Sequence, residues 1–417
     1  MSLFFYDTCS LMHLQEEAFK EPFYISNVTL YELENIKESN FKDEETKYQA
    51  RKLLKLLKEY REKYQVIQYQ DSFDITTPIP FIPQNINSLN DARIVQCALN
   101  IKDDIIFVTD DNSCYGVAND AGLKVQDSVG MESTEYQGFV EIKLTSDDEM
   151  AEFYESLDKT KIPKNKYNLI DNQYIILKDK DDNIIDKYKW SGNRYTRLDD
   201  DLKFCSKEFG LIKPYDDYQK LAFDSLKHNQ LTMLCGKAGT GKSLIALGFL
   251  FQQLERGEID KIVIFCNTIA TKGSAKLGYY PGSRTEKLLD SQIGNMLISK
   301  IGGRYYVEEL INKNRLVLLP ISDIRGYDTT GMQAGVYIPE AQNLDIELMR
   351  LALQRIGSDS ICILDGDYNA QVDLSLYAGN NNGLKRVSKV FKGKNFFGQV
   401  NLQKIYRSKI AEVADLM

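Results

Sequence analysis

Residues 236–243 read Gly236-Lys237-Ala238-Gly239-Thr240-Gly241-Lys242-Ser243, and this stretch decides the fold of the chain around it. The pattern G-x-x-x-x-G-K-[ST] is typical of a phosphate-binding loop that joins a strand to a helix. The apolar run 230–235 precedes it as a predicted strand, and residues 244–250 follow as a predicted helix. The alternative is a glycine turn that only happens to precede a helix. It is disfavoured because all eight positions and both flanking elements fit.

The residue types in this loop point to a nucleoside triphosphate. Glycine lets backbone N–H groups surround phosphate oxygens, and the helix N-terminus adds positive potential. The Lys242 ammonium can reach the β- and γ-phosphates, and the Ser243 hydroxyl can ligate Mg²⁺. We therefore predict that residues 236–243, together with Leu244, bind ATP and Mg²⁺.

The composition excludes several classes of protein. A length of 417 residues leaves room for two or three domains, and a net charge of −8 means that any nucleic-acid-binding surface must be local. The seven cysteines form no C-x-x-C pair and His13 and His228 are the only histidines, which disfavours a disulfide framework, a zinc site and histidine catalysis. Without an 18-residue apolar run or a basic leader, we expect a cytoplasmic protein with no membrane partner.

Residues 1–135 alternate predicted strands with predicted helices, which indicates a parallel sheet flanked by helices. Asp7 follows the apolar strand 3–6, and Asp111 follows the strand 105–109. Glu32 and Asp91 are predicted in the first turns of two helices. Because parallel sheets place ligand sites at the carboxyl ends of their strands, all four carboxylates could converge there.

Four carboxylates without basic partners repel one another unless a divalent cation neutralises them. Oxygen ligands suit Mg²⁺ or Mn²⁺, and such a site can activate water and clamp a scissile phosphate. The alternative is a set of separate local roles, since Asp91 is a good N-cap residue and Asp110-Asp111 could start a turn. Spacing alone leaves both interpretations open.

Four short motifs in this region resemble the acidic motifs of PIN-domain ribonucleases, in the same order. They are Asp7-Thr8, Tyr31-Glu32-Leu33, Asp91-Ala92-Arg93-Ile94 and Val108-Thr109-Asp110-Asp111. The resemblance covers most of residues 1–130. It implies a metal-binding quartet of Asp7, Glu32, Asp91 and Asp111, with Asp110 as the substitute for the last. Residues 136–140 resemble the exit from that domain in proteins that fuse it to a PhoH-type ATPase.

Residues 136–208 are predicted to form a small β-rich connector. The runs 173–178 and 184–190 flank a polar stretch, which predicts a β-hairpin. Basic and aromatic residues interleave from its second strand onward, as in surfaces that bind unpaired RNA bases. These residues are Lys187, Tyr188, Lys189, Trp190, Arg194, Tyr195 and Arg197. The favoured alternative is that the aromatic residues cover a small core while the lysines face water.

Residues 209–417 resemble PhoH-family ATPases over nearly their whole length. The matching segments are Lys213-Pro214, Tyr218-Gln219, the loop 236–243, residues 277–283 with Glu286-Lys287, residues 324–326, 340–343 and 355–357, Gly366-Asp367 with Gln371, and Tyr406-Arg407-Ser408. The resemblance implies a RecA-like parallel sheet, as in the first motor domain of superfamily 1 helicases. It implies that Gln219 contacts adenine and that Glu340 orients the attacking water. Asp367 and Gln371 would sense the phosphate.

Two positions depart from the family pattern. The family has Asp-Glu-Ala-Gln-Asn where this chain has Pro339 before Glu340, so the aspartate that holds Mg²⁺ beside the phosphate-binding loop is missing. The sequence leaves open whether Asp365 or Asp367 approaches the metal. One extra residue before Gln371 leaves the placement of that residue open. We expect nucleotide binding to survive both departures better than fast hydrolysis.

Arg407 lies in the segment that resembles the family's arginine motif. A superfamily 1 helicase takes its arginine finger from a second motor domain, for which this sequence leaves no room. We therefore expect Arg407 to act on ATP bound to a neighbouring subunit in a closed ring, and the resemblance implies a hexamer.

The favoured interpretation is a fusion of two enzymes. A metal-dependent endoribonuclease is coupled to a ring-forming ATPase that unwinds or translocates RNA, expected to be single-stranded. In one alternative, the N-terminal fold no longer cuts and serves as an RNA-binding platform. In another, which Pro339 favours, the protein hydrolyses ATP slowly and uses the nucleotide to hold an assembly together.

Overall fold

The chain folds into two compact units, Met1–Glu135 and Tyr136–Met417. The computed structural model describes residues 3–39, 41–42, 44–69, 86–128, 136–157, 165–266, 289, 292–367 and 382–406. No helix within these ranges combines the length and the apolar character needed to cross a bilayer.

The N-terminal unit is built on a five-stranded parallel sheet with the strand order β3-β2-β1-β4-β5. The strands are β1 (Leu3–Tyr6), β2 (Phe23–Ser26), β3 (Tyr64–Ile67), β4 (Ile105–Val108) and β5 (Lys124–Gln126). The helices are α1 (Thr8–Leu14), α2 (Asn27–Glu38), α3 (Glu44–Glu59), α4 (Ile86–Leu99) and α5 (Asn112–Asp120). The parallel sheet predicted for residues 1–135 is confirmed.

Both faces of this sheet are buried. Phe5 and Phe107 pack on one face with the apolar side of α4, and Tyr6 and Val108 pack on the other with residues of α3. The alternation follows from the strand geometry, because successive side chains point to opposite faces. Helices on both faces are the usual cover of a parallel sheet, and they leave its carboxyl edge for a site.

Two helices begin earlier than the sequence predicted. Helix α2 begins at Asn27 because the Ser26 hydroxyl caps it, accepting a hydrogen bond from the Thr29 N–H at 2.9 Å. Helix α4 begins at Ile86, so Asp91 is an interior residue and not an N-cap. The placement of Glu32 and Asp91 in first turns was therefore wrong, and each lies one turn further along its helix.

The C-terminal unit opens with β-rich structure. A four-stranded sheet in the order β6-β7-β8-β9 contains β6 (Phe139–Lys143), β7 (Tyr174–Lys178), β8 (Ile184–Trp190) and β9 (Tyr195–Arg197), with α6 (Asp147–Glu155) after β6. A second hairpin joins β10 (Phe204–Ser206) to β11 (Gly210–Ile212). Strands β7 and β8 pair antiparallel, so the predicted hairpin is present.

A six-stranded parallel sheet forms the rest of this unit, in the order β14-β13-β15-β16-β12-β17. Its strands are β12 (Leu231–Cys235), β13 (Lys261–Cys266), β14 (Leu316–Pro320), β15 (Ala334–Ile338), β16 (Ile361–Gly366) and β17 (Phe397–Asn401). The helices are α7 (Asp217–His228), α8 (Lys242–Arg256), α9 (Gln292–Ile301), α10 (Arg304–Asn312), α11 (Ile346–Leu353) and α12 (Gly383–Phe391). A parallel P-loop sheet was predicted and is confirmed.

The connector sheet shares its core with the P-loop sheet. Tyr174 and Ile176 of β7 belong to the same buried cluster as Leu221 of α7 and Leu250 of α8. The buried Tyr174 hydroxyl donates to the Asp224 carboxylate of α7 at 2.8 Å. The described residues of the connector, 136–157 and 165–208, are therefore packed as a layer of the C-terminal unit.

A glycine substitution tests this packing. Gly138 has φ +82°, and a Cβ there would lie 1.7 Å from the Gln399 carbonyl oxygen of β17. We expect Gly138→Ala to lower the free energy of unfolding by at least about 3 kcal/mol, because steric overlap adds to the backbone strain. Urea unfolding followed by the fluorescence of Trp190, the single tryptophan, measures this in the C-terminal unit.

Gly210→Ala is the matched control. Gly210 also has positive φ, +63°, but its Cβ would meet nothing within 4 Å. Its cost should be about 1 kcal/mol, from backbone strain alone. Equal losses in the two variants would contradict the close packing of residue 138 against β17.

Candidate functional site

The phosphate-binding loop lies between β12 and α8, as predicted. Gly236, Gly239 and Gly241 have φ values of +136°, +88° and +93°, which glycine adopts without strain. A Cβ on Gly236 would lie 2.5 Å from the Leu402 carbonyl oxygen. The Lys242 ammonium donates to the carbonyl oxygens of Gly236 and Lys237 at 2.5 and 2.9 Å, which holds the loop arched.

Asp365, at the end of β16, contacts this loop directly. The Ser243 hydroxyl donates to Asp365 Oδ2 at 2.9 Å, and the Tyr337 hydroxyl donates to the same oxygen at 2.6 Å. The Glu340 N–H donates to Asp365 Oδ1 at 2.9 Å. Burial, with the nearby Asp365 charge, raises the pKa of Tyr337 far above its ordinary value, so this hydroxyl stays a donor. The sequence alone leaves open whether Asp365 approaches this loop.

Glu340 lies two residues after the end of β15, behind Pro339, in the left-handed backbone conformation with φ +49°. Such a conformation is strained for a residue other than glycine and is often found at functional sites. Its carboxylate accepts a hydrogen bond from Gln342 Nε2 at 2.7 Å, and the Gln342 side-chain oxygen accepts from the Asp367 N–H at 3.2 Å. Gln342 thus ties together the two motifs that contain Glu340 and Asp367.

Gln219 is buried in the first turn of α7, beside the loop. Its side-chain amide donates to the Thr240 carbonyl oxygen at 3.0 Å and accepts from the Tyr215 N–H at 2.9 Å. The Tyr215 and Tyr406 rings lie 5.4 Å apart with 76% and 45% of their surfaces exposed. Two exposed rings beside a phosphate loop offer a stacking surface for a base. The sequence analysis missed Tyr215, although it follows the quoted Lys213-Pro214 pair.

Three of the predicted features lie outside the described residues. These are Gln371, Arg407 and the motif segment 277–287. Their roles stay predictions.

Residues 187–190 of the hairpin do not form a free RNA-binding surface, although Arg194 and Arg197 are exposed. Tyr188 and Trp190 are buried in the core of the connector sheet, as the favoured alternative predicted. The expectation that the lysines face water is wrong, because they pair with acidic residues of α7. Lys187 lies 2.7 Å from Asp217, and Lys189 lies 3.2 Å from the buried Asp224.

In the N-terminal unit, Asp7 lies at the carboxyl end of β1 and caps α1. Asp7 Oδ1 accepts from the Ser10 N–H and hydroxyl at 2.7 and 2.6 Å, and Oδ2 accepts from the Thr109 hydroxyl at 2.6 Å. Burial raises the pKa of Asp7 to about 6, although these hydrogen bonds oppose the rise. Oδ1 already accepts two hydrogen bonds, whereas Oδ2 accepts one and keeps a second lone pair, so Asp7 retains capacity for a metal at Oδ2.

Asp91 lies within electrostatic range of the other three predicted carboxylates. Its pKa is raised to about 6, first by burial and then by the negative charges of Asp111, Glu32 and Asp7. Each of these causes raises the pKa. Within the described part of the chain, the Asp91 carboxylate has no hydrogen-bond partner and no ion pair. Such a carboxylate gains from a cation.

The other two members of the quartet are anchored more locally. The Thr8 hydroxyl donates to Glu32 Oε2. Asp111 Oδ1 accepts from the Ser113 and Cys114 N–H groups and caps α5, so its local capping role is real as well.

Asp110, the predicted substitute, is turned to a separate pair of partners. It accepts hydrogen bonds from Ser128 and lies 3.0 Å from His13. These partners hold the pKa of Asp110 below its ordinary value, although burial alone would raise it. Among the described residues, no three acidic, thiol or imidazole groups form a ready-made metal cage. The donor set fits a hard cation, which would have to draw the carboxylates closer.

The fold and the two sites define a class of protein: a P-loop sheet with a phosphate-binding loop, preceded by a unit with an acidic site. The comparisons agree. Residues 211–416 match the family of PhoH-like proteins, and residues 4–129 match the PIN domain family. The chain is therefore a PIN domain followed by a PhoH-like domain.

Several curated relatives are similar. Protein PhoH2 of Bacillus subtilis is 27% identical over 355 residues, which cover 79% of this chain and 78% of the relative. Protein PhoH2 of Thermobispora bispora is 33% identical over 203 residues, covering 48% of this chain and 45% of the relative. Protein PhoH2 of Mycolicibacterium smegmatis is 34% identical over 203 residues, with the same coverage. The chain spans less than half the length of the latter two.

The repulsion at Asp91 leads to a stability prediction. Because its folded pKa of about 6 exceeds the ordinary 3.8, the native state holds more protons than the unfolded chain in this window. Stability of the metal-free unit should therefore fall as pH rises from about 4 to 6 and stay low at neutral pH. Asp91→Asn should raise the free energy of unfolding at pH 7.5 by about 1 kcal/mol, after allowance for solvent screening.

Hydrogen exchange of residues 86–128 in EDTA measures this change. Asp104→Asn is the control, since Asp104 forms an exposed ion pair with Lys124 and its loss should destabilise slightly. If Asp91→Asn were no more stable than the wild type in EDTA, the carboxylates would not repel one another as described.

Proposed function

We propose that this protein is a two-part enzyme. The C-terminal unit binds and hydrolyses ATP with Mg²⁺, and the N-terminal unit cleaves RNA with Mg²⁺ or Mn²⁺. The observation that carries the nuclease half is the Asp91 carboxylate. Its pKa is raised first by burial and then by the charges of Asp111, Glu32 and Asp7, and no cation among the described residues pairs with it. The arched loop with Lys242 inside it supports the ATPase half.

In the ATPase unit, backbone N–H groups of residues 236–244 surround the phosphates, and Lys242 places its charge at the β- and γ-phosphates. Ser243 would hold Mg²⁺, which neutralises charge on the phosphate oxygens. Glu340 accepts a proton from the attacking water and orients it, from a backbone position fixed by its N–H bond to Asp365. Gln219 positions the loop, and the Tyr215 and Tyr406 rings stack on the base.

In the nuclease unit, Asp7, Glu32, Asp91 and Asp111 would hold the metal. Bound there, the metal supplies a water of lowered pKa and stabilises charge on the scissile phosphate. Asp7 is fixed by its three hydrogen bonds and orients the site, while the partner-free Asp91 is able to shift toward the ion.

RNA handling and assembly extend this proposal. The family resemblance supports a ring, with a hexamer as the expected form, in which Arg407 of one subunit reaches ATP on the next. ATP turnover would then unwind or translocate single-stranded RNA for cleavage. The paired Lys187 and Lys189 do not favour the hairpin as the RNA contact.

Pro339 favours a second candidate function. A protein without the family's aspartate at this position could bind ATP, hydrolyse it slowly and use it to gate an RNA-binding assembly whose nuclease is inactive. ATP turnover would then be slow and RNA cleavage absent, while ATP binding persists.

Loss of Lys242 tests the nucleotide site. Lys242→Ala removes a charged donor from the phosphates and from the loop, so affinity for a fluorescent ATP analogue should fall at least about 100-fold. Lys313→Ala, which removes an exposed lysine at the end of α10, should leave affinity unchanged. Unchanged affinity in Lys242→Ala would refute the assignment.

Loss of Asp91 tests the nuclease. Asp91→Asn should lower cleavage of labelled single-stranded RNA in Mn²⁺ or Mg²⁺ by at least about 100-fold, because a metal ligand is lost. ATP binding should not change, and Asp104→Asn should cleave normally. The assay is run with and without ATP, which also tests coupling. Cleavage that persists in Asp91→Asn, or wild-type cleavage that ignores a chelator, would eliminate this site.

A further inference from the structure

This chain lacks the aspartate that the family has at position 339, but it has a carboxylate, Asp365, on the neighbouring strand. Strands β15 and β16 pair in parallel, and their last pairs are Tyr337 with Ile363 and Ile338 with Leu364. The next positions in the same register are Pro339 and Asp365. Parallel neighbours lie about 4.8 Å apart, so a carboxylate at 365 is displaced sideways by one strand from the family position. The carboxylate of Asp365 thus lies on β16, and β16 pairs directly with β12, the strand that precedes the phosphate-binding loop.

The surroundings of Asp365 are those of a charged group that lacks a cation. Its side chain is 1% exposed, and it accepts hydrogen bonds from Ser243, Tyr337 and the Glu340 N–H. No lysine or arginine within the described ranges forms an ion pair with it. Lys300 of α9 lies within electrostatic range, but burial outweighs the attraction and its pKa is lowered. A buried carboxylate held by neutral donors alone is stabilised further by a nearby cation.

The bond from Ser243 gives this charge a specific effect. A hydroxyl has one proton to donate and two lone pairs. Because Ser243 gives its proton to Asp365, its lone pairs are free to face the loop, where a metal between the phosphates would lie. Mg²⁺ takes few protein ligands and depends on one or two carboxylates beside the phosphates.

We infer that Asp365 is the positioning residue for the metal of the ATP site, in place of the aspartate that the family has at position 339. It orients the Ser243 hydroxyl and supplies the negative charge that Pro339 cannot. The carboxylate that serves the metal therefore lies on the neighbouring strand β16, and the metal site is still complete. This inference rests on the proposed ATP site.

The test measures metal affinity directly. Electron paramagnetic resonance of Mn²⁺ bound to the full chain with ADP gives the dissociation constant of the metal. Asp365→Asn should weaken Mn²⁺ binding about 10- to 100-fold, the usual effect of losing a group that orients a metal ligand. Binding of the fluorescent ATP analogue in EDTA should persist, because Lys242 and the loop are unchanged. Unaltered Mn²⁺ affinity in this variant would overturn the inference.

Two further variants distinguish an effect of the carboxylate's position on metal affinity from a general loss of folding. In Pro339→Asp/Asp365→Asn, the carboxylate returns to the family position, and Mn²⁺ affinity should recover most of the loss. Tyr337→Phe removes a donor to Asp365 but keeps the charge, so its metal affinity should stay within about threefold of wild type, one neutral hydrogen bond being worth little.

Pro339→Asp alone keeps the inference testable if Asp365→Asn does not fold. The carboxylate at 365 already serves the metal, so adding a second should not increase Mn²⁺ affinity, and a gain of tenfold or more would overturn the inference. The proposed function fails separately: wild-type protein that binds no ATP analogue in EDTA or in Mg²⁺ would refute the ATP site itself.

Discussion

A nearly inaccessible carboxylate is the constraint on which the C-terminal unit depends. Burying an ionised carboxylate costs several kcal/mol unless donors satisfy it. Asp365 meets this requirement with donors from three different places: the first turn of α8, the middle of β15 and the turn after β15. The same bonds that satisfy the charge also fix the loop helix against the sheet and hold Glu340 in its left-handed conformation. The hydrogen bonds that stabilise the buried charge are thus the same ones that fix the geometry of the site.

In the N-terminal unit, two acidic residues of the predicted site differ in the hydrogen bonds that they accept. Asp7 accepts three hydrogen bonds and is held in place by them, whereas Asp91 accepts none from the described residues and is repelled by Asp111, Glu32 and Asp7. Protein donors compensate the charge of Asp7. The charge of Asp91 would be compensated by a bound cation. Asp365 and Asp91 therefore differ in a basic way: protein donors satisfy the charge of Asp365, whereas no donor among the described residues satisfies that of Asp91.

The sequence predicts much of this architecture because parallel sheets, glycine loops and acidic motifs have strong local signals. It predicts the P-loop, the parallel sheet of each unit and the β7–β8 hairpin, while the metal-binding quartet stays a prediction. It misplaces the starts of α2 and α4, since an N-cap depends on which of several polar residues meets a backbone N–H. It also cannot show that Lys187 and Lys189 pair with α7, or that Asp365 reaches Ser243, because both depend on contacts between segments distant in the chain.

The shared packing of residues 136–208 sets the smallest part of the chain that can be expected to fold alone. The matched PhoH-like region begins at residue 211, yet its core includes Tyr174 and Ile176, and its strand β17 is bonded to residues near Gly138. A fragment starting at 211 would expose the buried faces of α7 and β17 and leave Asp224 without Tyr174. Recombination that moved this P-loop domain between proteins would therefore have to carry the preceding sheet with it. The segment that must be inherited together is therefore longer than the segment that contains the family motifs.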